Sequence, residues 1–137
     1  MFSKDVLYQL EVMLSAILSV ALAQPSTLKL PEPTPQPKSS FCSRPHRQSG
    51  GASFYSDYFN GRRMSNGQTF SNSSTWAAHR GLAFGTQVCV KYGSTSTIVT
   101  IGDRGPFVDG RVIDLSKNSF DNLATLSQGV IPVTLHY

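Results

Sequence analysis

The chain has 137 residues, two cysteines and a formal net charge of +4, and a length of this size leaves room for a single domain. The three histidines, His46, His79 and His136, are scattered, with no cysteine or carboxylate at ligand spacing, so we expect neither a metal site nor a cofactor. The weak positive charge comes without a basic module interleaved with aromatic residues, which argues against a nucleic-acid partner.

The first predicted element is a signal peptide over residues 1–23. Its apolar run, Met13–Leu22, is too short to span a bilayer. The run closes on Ala21-Leu22-Ala23, the small-x-small pattern of a signal peptidase site, so we expect an exported protein cleaved after Ala23. Acidic residues offset the single lysine ahead of the run, so a start at Met13 or a retained membrane anchor is an alternative. No cysteine directly follows the run, and we expect no lipid attachment at this junction.

Residues 24–49 form the second predicted element, a Pro-rich basic linker. The prolines of Pro31–Pro37 alternate with polar residues, which favours extended polyproline II and buries no apolar surface. Basic residues outnumber acidic ones here, so an anionic surface such as a wall polymer or phospholipid headgroups would attract the segment. A soluble spacer is the competing interpretation.

The two cysteines are Cys42, near the end of this linker, and Cys89, inside a run that alternates like a strand. An even cysteine count in an oxidising compartment predicts one disulfide, which would tie the linker to the domain. The alternative is two unpaired thiols, with Cys89 buried as a small hydrophobic residue.

The remaining residues, 50–137, are predicted to form short strands separated by turn signals. The polar loop Asp57–Asn72 holds two Asn-Gly pairs. Pro132 indicates that the last strand lies at an edge or begins at about this residue. The run Thr86–Tyr92 alternates with period two and is the clearest strand. The predicted strands are Ala52–Tyr55, Thr75–His79, Thr86–Tyr92, Ser96–Ile101, Arg111–Leu115 and Ile131–Leu135.

One helix is predicted after the fifth strand. Ser116 is a good N-cap, and Gly129 ends the pattern. Phe120, Leu123, Ala124 and Leu126 would form one apolar face over about three turns. Six strands and one helix within residues 50–137 predict a mainly β fold, a small closed barrel without free strand edges.

The stretch Ile101–Phe107 is the first candidate for chemistry. Asp103 arrives where a strand ends, between glycines that allow unusual backbone angles and ahead of Pro106, whose ring fixes φ. Loops held by a rigid scaffold often carry catalytic groups. The alternative is a structural turn in which the Asp side chain bonds its own backbone.

Five segments together resemble the barrel of rare lipoprotein A (RlpA), the bacterial septal lytic transglycosylase family. The resemblance covers 50–137 and implies a six-stranded double-psi β-barrel, shared more distantly with expansins, barwins and some endoglucanases. It does not extend to the family's lipid-attachment cysteine, nor to its glycan-binding repeat domain. Where the family usually has Glu, this chain has Gln68. The segments are Gly51–Tyr55, Phe59–Phe70, Ala77–Val88, Asp103–Phe107 and Gly110–Ser116.

The resemblance places the family's catalytic Asp on Asp103. In lytic transglycosylation one carboxyl group can protonate the glycosidic oxygen and then accept the proton of the attacking 6-hydroxyl of the muramyl sugar. To hold that proton at neutral pH, the pKa of Asp103 would have to be raised, by burial or by the sugar. The other carboxylates of 50–137 are assigned structural or solvated roles: Asp114 accepts a hydrogen bond near the helix start, and Asp57, Asp109 and Asp121 face solvent.

Four further residues are candidates for the site. His79 matches a family His, and it either orients Asp103, bonds a sugar, or holds the turn that follows. Gln68 is expected to bond a sugar without transferring a proton. Arg104 either locks its turn, the interpretation we favour, or binds substrate, and Tyr55 either stacks on a sugar or belongs to the core.

Two functions from different classes follow. The first is an exported endolytic peptidoglycan lytic transglycosylase, a monomer that acts through Asp103 on glycan strands and leaves anhydro-muramyl ends. The alternative, which Gln68 favours, is a non-catalytic expansin-like module that binds or loosens cell-wall polysaccharide.

Overall fold

The computed structural model describes residues 37–137, which form a closed barrel with the strand order β1-β5-β2-β4-β3-β6. Pairs β1–β5 and β2–β4 are parallel, and the other neighbours are antiparallel. The prediction of a six-stranded barrel is confirmed. The predicted signal peptide and residues 24–36 of the predicted linker lie outside the described residues. The strands are β1 Arg47–Phe54, β2 Trp76–Ala78, β3 Gln87–Tyr92, β4 Thr95–Asp103, β5 Arg111–Leu115 and β6 Ile131–His136, and the helices are α1 Lys38–Phe41 and α2 Lys117–Asp121.

The core follows from period-two alternation along the strands. Val88 and Val90 of β3 and their counterparts on the other strands are fully buried, because alternate residues of a strand share one face. Phe120 of α2 adds an aromatic ring to this core and contacts Phe54 edge-on, with ring centroids 4.8 Å apart. No helix within 37–137 is long and apolar enough to cross a membrane.

The helix after β5 is shorter than predicted. Its N-cap is Ser116, as expected, whose Oγ accepts from the Ser119 amide. α2 already ends at Asp121, and a separate 3₁₀ turn covers Leu126–Gln128. Asn and Thr have low helix propensity because their side chains compete for backbone hydrogen bonds, and Thr125 leaves the helical region with ψ 141°. The spacing of the apolar residues correctly predicted which side chains pack on the core, but it overestimated the length of the helix.

The described end of the predicted linker is attached to the barrel. Strand β1 begins at Arg47, inside that segment, and Arg47 pairs with His136 of β6. The predicted disulfide is present between Cys42 and Cys89, whose Cα atoms are 5.1 Å apart. Composition gave no sign of the longer strand, because its first residues pair through their backbone and bury no apolar side chain.

Strand β6 is not an edge strand, which corrects one of the two interpretations of Pro132. β6 pairs with β1 on one side and β3 on the other. Pro132 is its second residue and lies opposite Gly51 of β1, ahead of the level at which pairing with β3 begins. Its missing N–H therefore interrupts no pairing with β3.

Candidate active site

Asp103 is aimed outward by a β-bulge at Gly102. In the pairing of β2 with β4, Ala77 lies opposite Ile101 but Ala78 lies opposite Asp103, so Gly102 is an extra residue. Ala77 and Ile101 are fully buried in the core. The bulge therefore puts Asp103 on the outer face beside Ala78, where strict alternation would have turned it inward.

Gly102 is required there because other side chains approach its backbone closely. A Cβ atom at this position would lie 2.6 Å from the Trp76 ring and 2.8 Å from the Asn66 side-chain nitrogen. The Gly102 carbonyl oxygen also accepts a hydrogen bond from the backbone N–H of Asn66 at 3.1 Å. The bulge thus lets the loop 56–72 pack against the end of β4 that carries Asp103.

Two carboxyl groups share this outer face. Ser53 of β1 lies opposite Asp114 of β5, Asp114 lies opposite Ala78 of β2, and Ala78 lies opposite Asp103 of β4. Directly opposite residues have their side chains on the same side of a sheet. Since neighbouring strands are about 4.8 Å apart, the two Asp backbones are separated by roughly 10 Å, with Ala78 at the strand position between them.

The Asp103 carboxylate accepts four hydrogen bonds from the protein. Oδ2 accepts from the Tyr55 hydroxyl at 2.7 Å, and Oδ1 accepts from the Ser65 amide at 3.0 Å, the Ser65 hydroxyl at 2.7 Å and the Arg104 amide at 2.9 Å. Partial burial alone would raise the pKa of Asp103, but the bonds from Ser65, Tyr55 and the Arg104 amide outweigh it and lower the pKa. The carboxyl is therefore ionised in the free protein at neutral pH, so of the two expected causes of a raised pKa, burial and the sugar, burial does not prevail.

Tyr55 supports Asp103 and offers no free ring face. Its side chain is 9% exposed, and its ring packs on Phe70 and Phe59 at centroid distances of 4.4 and 5.4 Å. Burial, and then the bond to Asp103, raise the pKa of Tyr55 far above its usual range, so the phenol stays a donor. Of the two sequence interpretations, the contacts match the core residue and leave no room for stacking on a sugar.

The pKa of Asp114 is shifted in the opposite direction from that of Asp103. Burial raises the pKa of Asp114, against opposing effects of the Ser53 hydroxyl and of Arg111, and the charge of Asp103 raises it further. The Ser53 hydroxyl donates to Asp114 Oδ1 at 3.0 Å. Asp114 thus accepts a structural hydrogen bond, as expected, and its donor belongs to β1. Alternation within Arg111–Leu115 could have placed its side chain outward, but not beside Asp103.

His79 holds the turn that follows it. Its Nδ1 accepts from the Gly81 and Leu82 amides, each at 3.0 Å, so the proton is on Nε2, which donates to Gln48 Oε1 at 2.7 Å. Burial lowers the pKa of His79, and the charges of Arg104 and Arg80 lower it further. The ring is thus neutral, and among residues 37–137 its hydrogen bonds do not involve the Asp103 carboxylate.

Two arginines fix the loops around Asp103. Arg104 donates to the carbonyl oxygens of His79 and Leu82 at 3.1 and 2.6 Å and lies over the Phe84 ring, which are the contacts of a turn lock. Arg80, which no sequence pattern marked as a site residue, donates to Pro106 O at 2.6 Å and Val108 O at 2.9 Å. The loop between these two carbonyl groups presents Phe107, which is 80% exposed.

Gln68 closes the turn that contains Ser65, one of the donors to Asp103. The Met64 amide donates to Gln68 O at 2.8 Å, and the Gln68 amide donates to Asn66 Oδ1 at 2.9 Å. The Gln68 side chain is exposed and makes no hydrogen bond to any other described residue. It is therefore free to meet a ligand from this side of the site.

Comparison with known proteins identifies the family. The family model described as "Lytic transglycolase" matches residues 47–135. Relatives named probable endolytic peptidoglycan transglycosylase RlpA, from Synechocystis and Nostoc, are 47% and 46% identical over 63% of this chain. A third, named endolytic peptidoglycan transglycosylase RlpA, from Campylobacter jejuni, is 39% identical. The aligned region is 27%, 24% and 32% of these three relatives, so the chain spans less than a third of their length.

A solved structure supports the fold independently. The Streptomyces papain inhibitor matches with a TM-score of 0.56 and 25% identity, over 69% of this chain and 96% of the inhibitor. The family match covers nearly all of the barrel, and the strand order is that of a closed mixed barrel. The chain therefore belongs to the RlpA-like lytic transglycolase family of double-psi β-barrels.

Proposed function

We propose that the protein is an endolytic peptidoglycan lytic transglycosylase that acts outside the cytoplasm. The names of its relatives support this activity. The observation that carries the proposal is the Asp103 carboxylate, which donors from three segments of the chain orient on the outer face of the barrel. An oriented acid at a partly exposed position is what proton transfer to and from a sugar requires.

Asp103 would serve as both acid and base. A glycan strand lying over the carboxylate removes solvent from it, which raises its pKa and allows it to carry a proton. Asp103 gives this proton to the glycosidic oxygen as the bond to the anomeric carbon breaks. The resulting carboxylate then takes the proton of the 6-hydroxyl as that oxygen bonds the same carbon, which closes the anhydro ring and restores the acid.

The neighbouring residues would position Asp103 without reacting. Tyr55 and Ser65 keep the carboxylate in one orientation through their hydrogen bonds. His79 is a positioning residue in this proposal, because the turn amides occupy its Nδ1 and the proton on its Nε2 is donated to Gln48 Oε1. Burial raises the pKa of Asp114, which disfavours a second negative charge beside the reacting group.

Exposed aromatic rings near the site would bind the glycan strand. Phe59 packs against Tyr55 and is 41% exposed, Phe84 packs under Arg104 and is 43% exposed, and Phe107 is 80% exposed. The apolar face of a sugar ring packs well on such surfaces, and exposed apolar patches of this kind mark ligand grooves. Gln68 would add a hydrogen bond to a sugar hydroxyl.

The test uses the full chain and purified glycan strands, and mass spectrometry detects the release of anhydro-muramyl ends. Wild type should release them, and Asp103→Asn should lose about 10²–10⁴ in rate while still binding the strands. Asp109→Asn is the matched control, because Asp109 is an exposed carboxylate of the same barrel. Equal activity in wild type and Asp103→Asn would rule out this mechanism.

The second candidate function is a non-catalytic wall-binding module, and the exposed Gln68 amide favours it. An amide at the position where the family usually has Glu cannot move a proton. Products from wild type support the enzyme. Products only from Gln68→Glu would make the natural protein a binder, and binding without products in either protein would do the same.

A further inference from the structure

A groove lies on the barrel wall opposite the candidate active site. β6 is three strands from β2 in either direction around the barrel, so the two strands are on opposite sides. Leu135 of β6 and Val90 of β3 are fully buried, so their neighbours along each strand point outward. The outward side chains form two rows in register, namely Arg47, His136 and Cys89, and Ser49, Thr134 and Lys91.

The segment tied down by the Cys42–Cys89 disulfide covers one side of this wall. It shields His136, which is 6% exposed and whose Nδ1 donates to the Arg44 carbonyl oxygen at 3.2 Å. What stays open is a groove of about 490 Å³ between this segment and the strands. Volumes of this order accommodate a small ligand or the headgroup of a larger one.

The groove is positively charged and its cationic groups have no partner in the described part of the chain. Arg47 and Lys91 line it, and no Asp or Glu of residues 37–137 does. The ion pair recorded among these residues joins Lys117 to Asp57, elsewhere in the fold. Guanidinium and ammonium groups are donors only, so two clusters of N–H groups face the groove without an acceptor.

We propose that this groove is a binding site for a phosphate group, either free or on a lipid headgroup. Arg presents a fork of donors that matches an oxyanion, and Lys adds a compact charge. A phosphate has more acceptor oxygens than a carboxylate, so it can engage Arg47 and Lys91 together. The site is distinct from the Asp103 face, and its test reads binding, so the outcome does not depend on the proposed enzymatic activity.

The test is an NMR titration of the full chain with inorganic phosphate at constant ionic strength. We expect saturable shifts of the Arg47, Lys91 and Thr134 amides. Arg47→Gln and Lys91→Gln should each weaken binding on the order of ten-fold, since a charged hydrogen bond contributes about that factor. Arg47→Lys should retain part of the affinity, because it keeps the positive charge. Retained affinity would show that Arg47→Gln weakens binding by removing the charge and not by disturbing the fold.

Arg63→Gln is the matched control, because it removes the same charge from an exposed loop residue outside the groove. The proposal would be overturned if Arg63→Gln weakened phosphate binding as much as Arg47→Gln. It would also be overturned if wild type bound acetate as tightly as phosphate, or if phosphate caused no saturable shift in wild type. Vesicles containing phosphatidylglycerol then identify the source of the phosphate. If Arg47→Gln weakens vesicle binding more than Arg63→Gln does, the phosphate belongs to a lipid headgroup. If both variants weaken vesicle binding equally, the ligand is free phosphate.

Discussion

Replacing Tyr55 by Phe isolates one of the bonds that keep Asp103 ionised. The Tyr55 hydroxyl donates to Asp103 Oδ2 at 2.7 Å, whereas the other donors within residues 37–137 bond Oδ1. A hydrogen bond to a charged group contributes about 1.5–3 kcal/mol, and one pKa unit corresponds to about 1.4 kcal/mol. Because Asp103 is partly exposed, solvent screens the bond, so we expect a contribution near the lower end of this range and a raised pKa of Asp103 in Tyr55→Phe.

The measurement is a ¹³C NMR titration of the Asp carboxyl carbons in wild type and variant. Tyr58→Phe is the control, because Tyr58 is 66% exposed and stacks with Arg62 without bonding a described carboxylate. An unchanged pKa of Asp103 in Tyr55→Phe, or an equal rise in Tyr58→Phe, would refute the assignment of this bond as a main cause of the lowered value.

The same substitution changes how stability depends on pH. The folded protein holds the pKa of Asp103 below its ordinary value of 3.8, so the ionised carboxyl stabilises the fold above that pH. This contribution is lost as pH falls through the lower, folded value. Tyr55→Phe brings the two values together, so its free energy of unfolding should fall less on acidification than that of wild type.

Three other substitutions test the barrel. Asp114→Asn should raise the melting temperature at neutral pH, since burial disfavours the ionised Asp114 carboxyl, and a lower melting temperature would show that the bond from Ser53 outweighs burial. Gly102→Ala should cost about 1–3 kcal/mol by overpacking against Trp76, whereas Gly81→Ala, with no atom within 4 Å of its added Cβ, should cost much less in the same chemical denaturation assay. Replacing both Cys42 and Cys89 by Ala should cost about 4 kcal/mol, the chain-entropy value for their separation of 47 residues, and an unchanged unfolding midpoint would contradict it.

The barrel could be predicted from the sequence because its signals are local. Alternation marked β3, and Ser116 marked the start of α2. The longer β1 was missed because Arg47, Gln48 and Ser49 are polar and join the sheet only through pairing with β6. Such pairing depends on residues far along the chain, which a pattern within one segment does not reveal.

The site was predictable only in part for the same reason. Its turn residues and the family resemblance indicated Asp103, and the structure places it on the outer face. Its hydrogen-bond donors Tyr55 and Ser65, and its neighbour Asp114, depend on strand register and on the bulge at Gly102. A one-residue change of register reverses which face a side chain occupies, so the lowered pKa of Asp103 could not be derived from composition.

The donors of Asp103 also connect its ionisation to the completion of folding. Tyr55 and Ser65 precede Asp103 by 48 and 38 residues, so these hydrogen bonds can form only after distant parts of the chain have come together. A chain whose strands have not yet joined would present an ordinary, solvated carboxyl at this position. The titration of one side chain can therefore serve as a readout of barrel closure during refolding in vitro, without any substrate.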